Sequence, residues 1–114
     1  MVRRGEIWWA ETGDNVGSEV SNRRPVLVVQ SNAINRSAFN TVVVIGITSN
    51  VTYADIPGNV FIEKKEKLLP KDSVIVCANM AAVDKSRFIE KISELPDLWM
   101  DQVEFGISIA LDLK

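Results

Sequence analysis

Two runs of β-favouring residues, Pro25-Val26-Leu27-Val28-Val29-Gln30 and Thr41-Val42-Val43-Val44-Ile45-Gly46-Ile47-Thr48, restrict the fold more than any other feature of the chain. Val, Ile and Thr lose side-chain freedom in a helix and pack well on a pleated surface. Both runs therefore read as strands. The first is apolar without alternation, the pattern of a strand covered on both faces. Pro25 has no N–H to give to a ladder, which puts it at the start or the edge of its strand. A further strand spans 5–11, where Ile7, Trp8 and Trp9 supply bulk, and two more lie near 59–64 and 73–80, separated by the charged linker 64–71 with Pro70 inside it. Residues 12–22 are rich in turn formers and long for so short a chain, and they read as a mobile flap. The polar stretch 31–40 reads as a connection or a short helix.

The last part of the chain changes period. Trp99, Val103, Gly106, Ile107, Ala110 and Leu111 recur at three- and four-residue steps, which places them on one helical face. Pro96 and Asp97 suit that helix's first turn, one by its preset φ and the other by a negative charge at the positive end of the dipole. Strands first and a single terminal helix indicate an α+β fold, a small and strongly curved antiparallel sheet with the helix packed on it. With 114 residues, 46% of them hydrophobic and no internal repeat, a single domain over 1–114 is expected. Trp99 and Phe105 leave the helix in different directions, more apolar area than one small barrel needs, so part of the helix is expected to serve a partner surface.

Composition removes several chemistries. There is no histidine, hence no Ser-His-Asp triad, no histidine general base and few catalytic zinc sites. The one cysteine, Cys77, has no internal partner, no basic and apolar leader opens the sequence, and no apolar run approaches the roughly 18 residues that cross a bilayer. A soluble protein of a reducing cytoplasm, without membrane contact, is expected. The net charge of −2 argues against a general nucleic-acid binder. Charge is uneven, however: five of the six arginines and none of the seven lysines fall within residues 1–36. The rigid fork of arginine matches phosphate oxygens better than an ammonium does.

Several short motifs carry a resemblance. Arg4-Gly5-Glu6-Ile7-Trp8, Gly17-Ser18-Glu19, Arg24-Pro25-Val26-Leu27-Val28-Val29-Gln30, Ile47-Thr48-Ser49, Asp72-Ser73-Val74-Ile75 and Val83-Asp84-Lys85-Ser86-Arg87 occur in an order and spacing that resemble the MazF/PemK (CcdB-like) toxins of bacterial toxin–antitoxin modules. The resemblance covers nearly the whole chain. It implies an SH3-like antiparallel β-barrel with a C-terminal helix, and a homodimer whose groove binds single-stranded RNA. It also implies sequence-specific, metal-independent cleavage of mRNA that blocks translation and growth, a cognate antitoxin, and contact with DNA only through that antitoxin. No cofactor and no metal site is implied. The chain departs from the family after the tryptophan, where it reads Ala10-Glu11-Thr12-Gly13, and at Ala78-Asn79-Met80-Ala81, positions that help select bases in relatives.

The resemblance assigns catalysis to Arg24, Thr48 and Glu19. Arg24 suits the stabilisation of a phosphorane by paired, charge-assisted hydrogen bonds; the family's matching arginine is also proposed as general acid, a role the strong basicity of a guanidinium makes awkward. Thr48, at a strand end, can donate its hydroxyl to a phosphate oxygen from few rotamers. Glu19 in the flap is the candidate base for the 2′-hydroxyl. Ser18, Ser31, Asn32, Ser49 and Asn79 are candidates for contacts to RNA. Trp8 and Trp9 can stack on unpaired bases or serve packing, and adjacent strand residues face opposite sides. Two alternatives remain open: a CcdB-like toxin that poisons a topoisomerase by protein binding, and a non-catalytic RNA-binding module.

Overall fold

In the computed structural model, residues 1–12 and 23–113 are described. Six strands form one sheet: β1 (Glu6–Glu11), β2 (Arg23–Val28), β3 (Thr41–Thr48), β4 (Val60–Ile62), β5 (Ser73–Asp84) and β6 (Phe88–Glu94), with a short helix α1 (Asn32–Asn35) and a terminal helix α2 (Asp97–Ala110). The sheet order is β4-β5-β3-β2-β1-β6, and every pair is antiparallel. The sheet curls into a half-barrel with the helix against it, the α+β architecture expected from the order of elements.

β2 and β3 are the centre of this arrangement. Val26, Leu27 and Val28 are all buried, so β2 is covered on both faces as its unbroken apolar run predicts. Alternation then sorts the side chains. Leu27 joins Ile7, Ile45, Ile47, Ile75 and Val103 in the core beneath α2, whereas Val26 and Val28 join Ala10, Val42, Val44 and Val83 on the opposite face. Each such aliphatic side chain contributes about 1.5–3 kcal/mol when fully buried. β2 starts at Arg23, two residues earlier than the apolar run suggests. Pro25 is tolerated there because pairing with β3 begins only at Val26.

The curl comes from β5. Ile45 pairs with Met80 and Ile47 with Ile75, so two steps along β3 match five along β5. Extra residues on one strand bend it and raise its twist. At this bend an added Cβ on Gly46 would lie 2.6 Å from Asn79 Nδ2, so the missing side chain is what admits the Asn79 amide. β5 runs on to Asp84, past the end expected near residue 80, because the exposed Ala81 and Ala82 keep their pairing with Val44 and Val43 without an apolar pattern. β6 gave no strand signal either. It is an edge strand rich in Glu and Lys, with only Phe88, Ile92 and Ser93 partly covered, the composition that protects an edge from unwanted pairing.

α2 begins after Pro96, with Asp97 in its first turn as expected. Met100, Val103 and Gly106 are buried and Trp99 and Ile107 partly so. Ala110 and Leu111, placed on the same face by their spacing, are exposed instead. The helix approaches the β4 end closely at Gly106, where a Cβ would lie 2.1 Å from the Gly58 carbonyl oxygen and 2.6 Å from Cys77 Sγ. Gly58 itself has φ of 90°, a conformation other residues rarely adopt. Gly106→Ala is therefore expected to destabilise the fold by about 1–3 kcal/mol or more through overpacking, read as a lowered urea midpoint; an unchanged midpoint would refute this account of the contact.

Glu6 ties β1 to its surroundings. Its carboxylate is almost fully buried and accepts hydrogen bonds from the Arg3 N–H (2.9 Å) and Trp8 Nε1 (2.9 Å), and Lys91 Nζ of β6 lies 3.1 Å away. Burial alone pushes its pKa up, but these donors outweigh it and hold the carboxyl below its ordinary value. A carboxyl depressed in the folded state stabilises above the ordinary carboxylate range and loses that contribution as pH falls through its folded value. Glu6→Gln is expected to cost about 1.5–3 kcal/mol at neutral pH, the range for hydrogen bonds to a charged group. Denaturation in a pH series should show the gap between wild type and variant closing in acid, and a gap independent of pH would contradict the assignment.

Candidate active site in the groove

Arg24 and Thr48 line one groove from the ends of neighbouring strands. Val26 lies opposite Gly46 and Val28 opposite Val44, with Arg24 two residues before the first of these pairs on β2 and Thr48 two residues beyond it on β3. Both then belong to the face that carries Val26, Val28, Val42 and Val44. On the other side of β2, Arg24 pairs with Ala10, a fully buried residue of the core on that face. Arg24 Nη1 donates to the Arg23 carbonyl at 3.1 Å.

The Thr48 hydroxyl is oriented by the chain that follows. Its Oγ1 accepts the Asn50 N–H at 3.1 Å, which occupies a lone pair and leaves the O–H proton to donate. Asn50 in turn accepts from the N–H and hydroxyl of Thr52 at 3.2 and 2.7 Å, capping the turn Val51–Asp55. Two consecutive caps thus fix the Thr48-Ser49-Asn50 corner, and Ser49 is exposed on it.

One groove of ≈ 900 Å³ is lined by Arg24, Thr48, Ser49 and Asn79 together, with Tyr53 beside them. Among the described residues its charged lining is Arg23, Arg24, Lys71 and Arg87 against Asp84, an excess of three positive charges in a chain whose net charge is −2. Such a concave, positive and partly apolar surface fits a phosphate backbone. Asp84 is engaged locally, accepting from the N–H and hydroxyl of Ser86, and these bonds hold its carboxyl below the usual range.

Ser31 and Asn32 do not reach the groove. Ser31 caps α1 by accepting the Ala33 N–H, and Asn32 accepts the Arg4 N–H at 2.7 Å and Asn35 Nδ2 at 3.2 Å. Asn35 and Gln30 complete that buried network, Gln30 Nε2 donating to Asn35 Oδ1 at 2.9 Å. The polar residues of 31–40 hold the β2–β3 connection in place. Ser18 and Glu19, with the rest of 13–22, lie outside the described residues. Cys77 is buried, burial pushes its thiol pKa up, and it plays no part in the groove.

The structure also separates the two tryptophans. Trp8 packs edge-on against Phe88, centroids 5.9 Å apart, and donates to Glu6; Trp9 lines the groove under the Arg23 guanidinium, which lies 5.0 Å from its ring centroid. Lys71, Tyr53 and Arg23 were not singled out by sequence. Lys71 was hidden in a charged linker, and only its position two residues before β5, opposite the end of β3, brings it to the groove.

Among the described residues no helix is long and apolar enough to cross a membrane, and no three His, Cys, Asp or Glu side chains converge as a metal site would require. Comparison with known proteins gives consistent relatives. A family model for PemK-like, MazF-like toxins of type II toxin–antitoxin systems matches residues 3–111. The chain is 39% identical over 113 residues to the endoribonuclease MazF6 of Mycobacterium tuberculosis and to the endoribonuclease MazF2 of Mycobacterium bovis, covering 99% of either chain in each case. The toxin MazF-mt6 of Mycobacterium tuberculosis superposes with a TM-score of 0.78 at 21% identity, over 96% of this chain and 98% of that one. A MazE–MazF structure from Deinococcus radiodurans gives 0.77 at 20% identity, over 99% and 97%. The chain thus belongs to the PemK-like, MazF-like toxin family of type II toxin–antitoxin systems.

Proposed function

We propose that this chain is an endoribonuclease toxin that cuts single-stranded mRNA without a metal, and so halts translation and growth. The observation that carries the reading is that Arg24 and Thr48 line one groove whose described lining has excess positive charge. That relatives covering the whole chain are named endoribonucleases supports it.

In the proposed reaction the 2′-oxygen attacks the adjacent phosphorus, the P–O5′ bond breaks, and the products are a 2′,3′-cyclic phosphate and a free 5′-hydroxyl. The proton of the 2′-hydroxyl goes to a base, for which the Gly17-Ser18-Glu19 motif offers Glu19, and the departing 5′-oxygen gains a proton. Arg24 supplies charge-assisted hydrogen bonds to the non-bridging oxygens as negative charge builds on phosphorus. Thr48 donates its oriented O–H to the same phosphate and holds it for in-line attack. Ser49 and Asn79 flank this centre and are assigned to the RNA bases beside the cut, with Ser18 as a further flap contact.

The same reading places the protein in the cytoplasm with an antitoxin as partner, and DNA reached only through the antitoxin. Solved relatives include a mycobacterial endoribonuclease in complex with its cognate antitoxin. α2 exposes Leu98 (70%), Phe105 (67%), Ile109 and, just past its end, Leu111 and Leu113, an apolar surface assigned here to the homodimer or the antitoxin.

Cleavage of a long, weakly structured RNA in EDTA should give discrete cuts ending in cyclic phosphate. Arg24→Ala and Thr48→Ala should each slow it about 10²- to 10³-fold, as loss of an oxyanion donor does elsewhere. RNA left intact by folded wild-type protein would sink the nuclease reading. For the helix surface, Phe105→Glu should weaken self-association about tenfold or more in sedimentation equilibrium, while an unchanged dissociation constant would move the dimer contact elsewhere.

A further inference from the structure

The groove is not confined to one face of the sheet. Arg24, Val26 and Gly46 line it from the face that carries the proposed chemistry, yet Trp9, Arg23 and Pro25 line it too, and alternation puts these on the face of Ile7 and Leu27. The groove therefore wraps around the ends of β2 and β3, and its second lobe holds an aromatic and cationic pair. Trp9 is opposite Pro25, and Glu11 opposite Arg23, so Arg23 and Trp9 sit diagonally across the β1–β2 ladder, within reach of long side chains. The guanidinium lies over the indole at 5.0 Å, Arg23 is exposed, and Lys71 lines the same groove.

A planar guanidinium held over an indole is a preformed stacking surface, since bases stack on arginine planes as they do on aromatic rings. Contact with the Trp9 ring narrows the conformations Arg23 samples, so less side-chain freedom is lost when a base arrives. We propose that the Trp9–Arg23 pair is a subsite for one unpaired nucleobase flanking the cut, with Lys71 beside it for the neighbouring phosphate. The proposal rests on the nuclease reading above and adds to it a residue pair that recognises RNA as a single strand, because a paired base offers no free face. It also gives the two adjacent tryptophans separate tasks, Trp8 in packing and Trp9 in binding.

The test measures binding rather than cleavage, so that its outcome is independent of the nuclease assay. Short fluorescein-labelled 2′-O-methyl RNAs, which lack the attacking hydroxyl, are tiled from the long RNA of the cleavage assay, and the tightest-binding tile is rebuilt with an abasic nucleotide at each position in turn. Anisotropy titrations should show one position where loss of the base weakens wild type roughly 5- to 150-fold, the range of base stacking. Arg23→Lys, which keeps the charge and removes the plane, and Trp9→Leu should each weaken the intact tile by a similar factor and remove the penalty at that position alone. Penalties that persist unchanged in both variants at every position, or no tile bound by wild type, would overturn the subsite. Cut RNA in EDTA together with that result would leave the nuclease standing without it.

Discussion

The antiparallel register between β2 and β3 is the constraint on which the site depends. Because side chains alternate, a slip of one residue would send Arg24 to the opposite face from Thr48 and turn Val26 and Val28 out of their core. The slip is opposed by burial on both sides: Leu27 is locked into the packing under α2 while its two neighbours are locked into the packing beyond it. The chemistry is thereby held by hydrophobic packing rather than by contacts among the reacting groups. This is how a short chain without histidine or disulfide can hold two polar groups on one wall.

The irregular parts of the sheet complement that regular centre. The bend of β5 bends the wall over, and the absent side chain at residue 46 leaves room for the Asn79 amide. The corner after β3 adds its own fixation, each cap holding the next residue in the chain. Paired strands at the floor and capped turns at the rim together fix the shape of the groove.

Much of this was legible in sequence. The β-branched runs gave β2 and β3, the shift in period gave α2, and Arg24, Thr48, Ser49 and Asn79 lie along one groove because strand ends and a strand bend put them there. Where the reading failed, the cause is physical. β6 carries an edge strand's charges instead of an alternating pattern, and Ala81 and Ala82 keep β5 going through backbone bonds that no side-chain pattern reports. Ser31 and Asn32 are polar because they secure a buried backbone turn, a demand that in one dimension looks the same as a binding role. Lys71 and Arg23 join the groove only through folding, since neither has a local signature.

The contrast between a negative chain and a positive groove has a kinetic meaning. Beyond a Debye length of roughly 10 Å at moderate salt, an approaching polyanion senses little of either; inside it, the positive lining of the groove attracts while the chain's net charge does not. Such a field gives little to sliding or to loose capture on duplexes and ribosomal surfaces, where a uniformly basic protein would linger. A flexible single strand that can enter the wrapped lobe meets the attraction at close range, so the charge pattern itself acts as a filter for strand accessibility before any base is read.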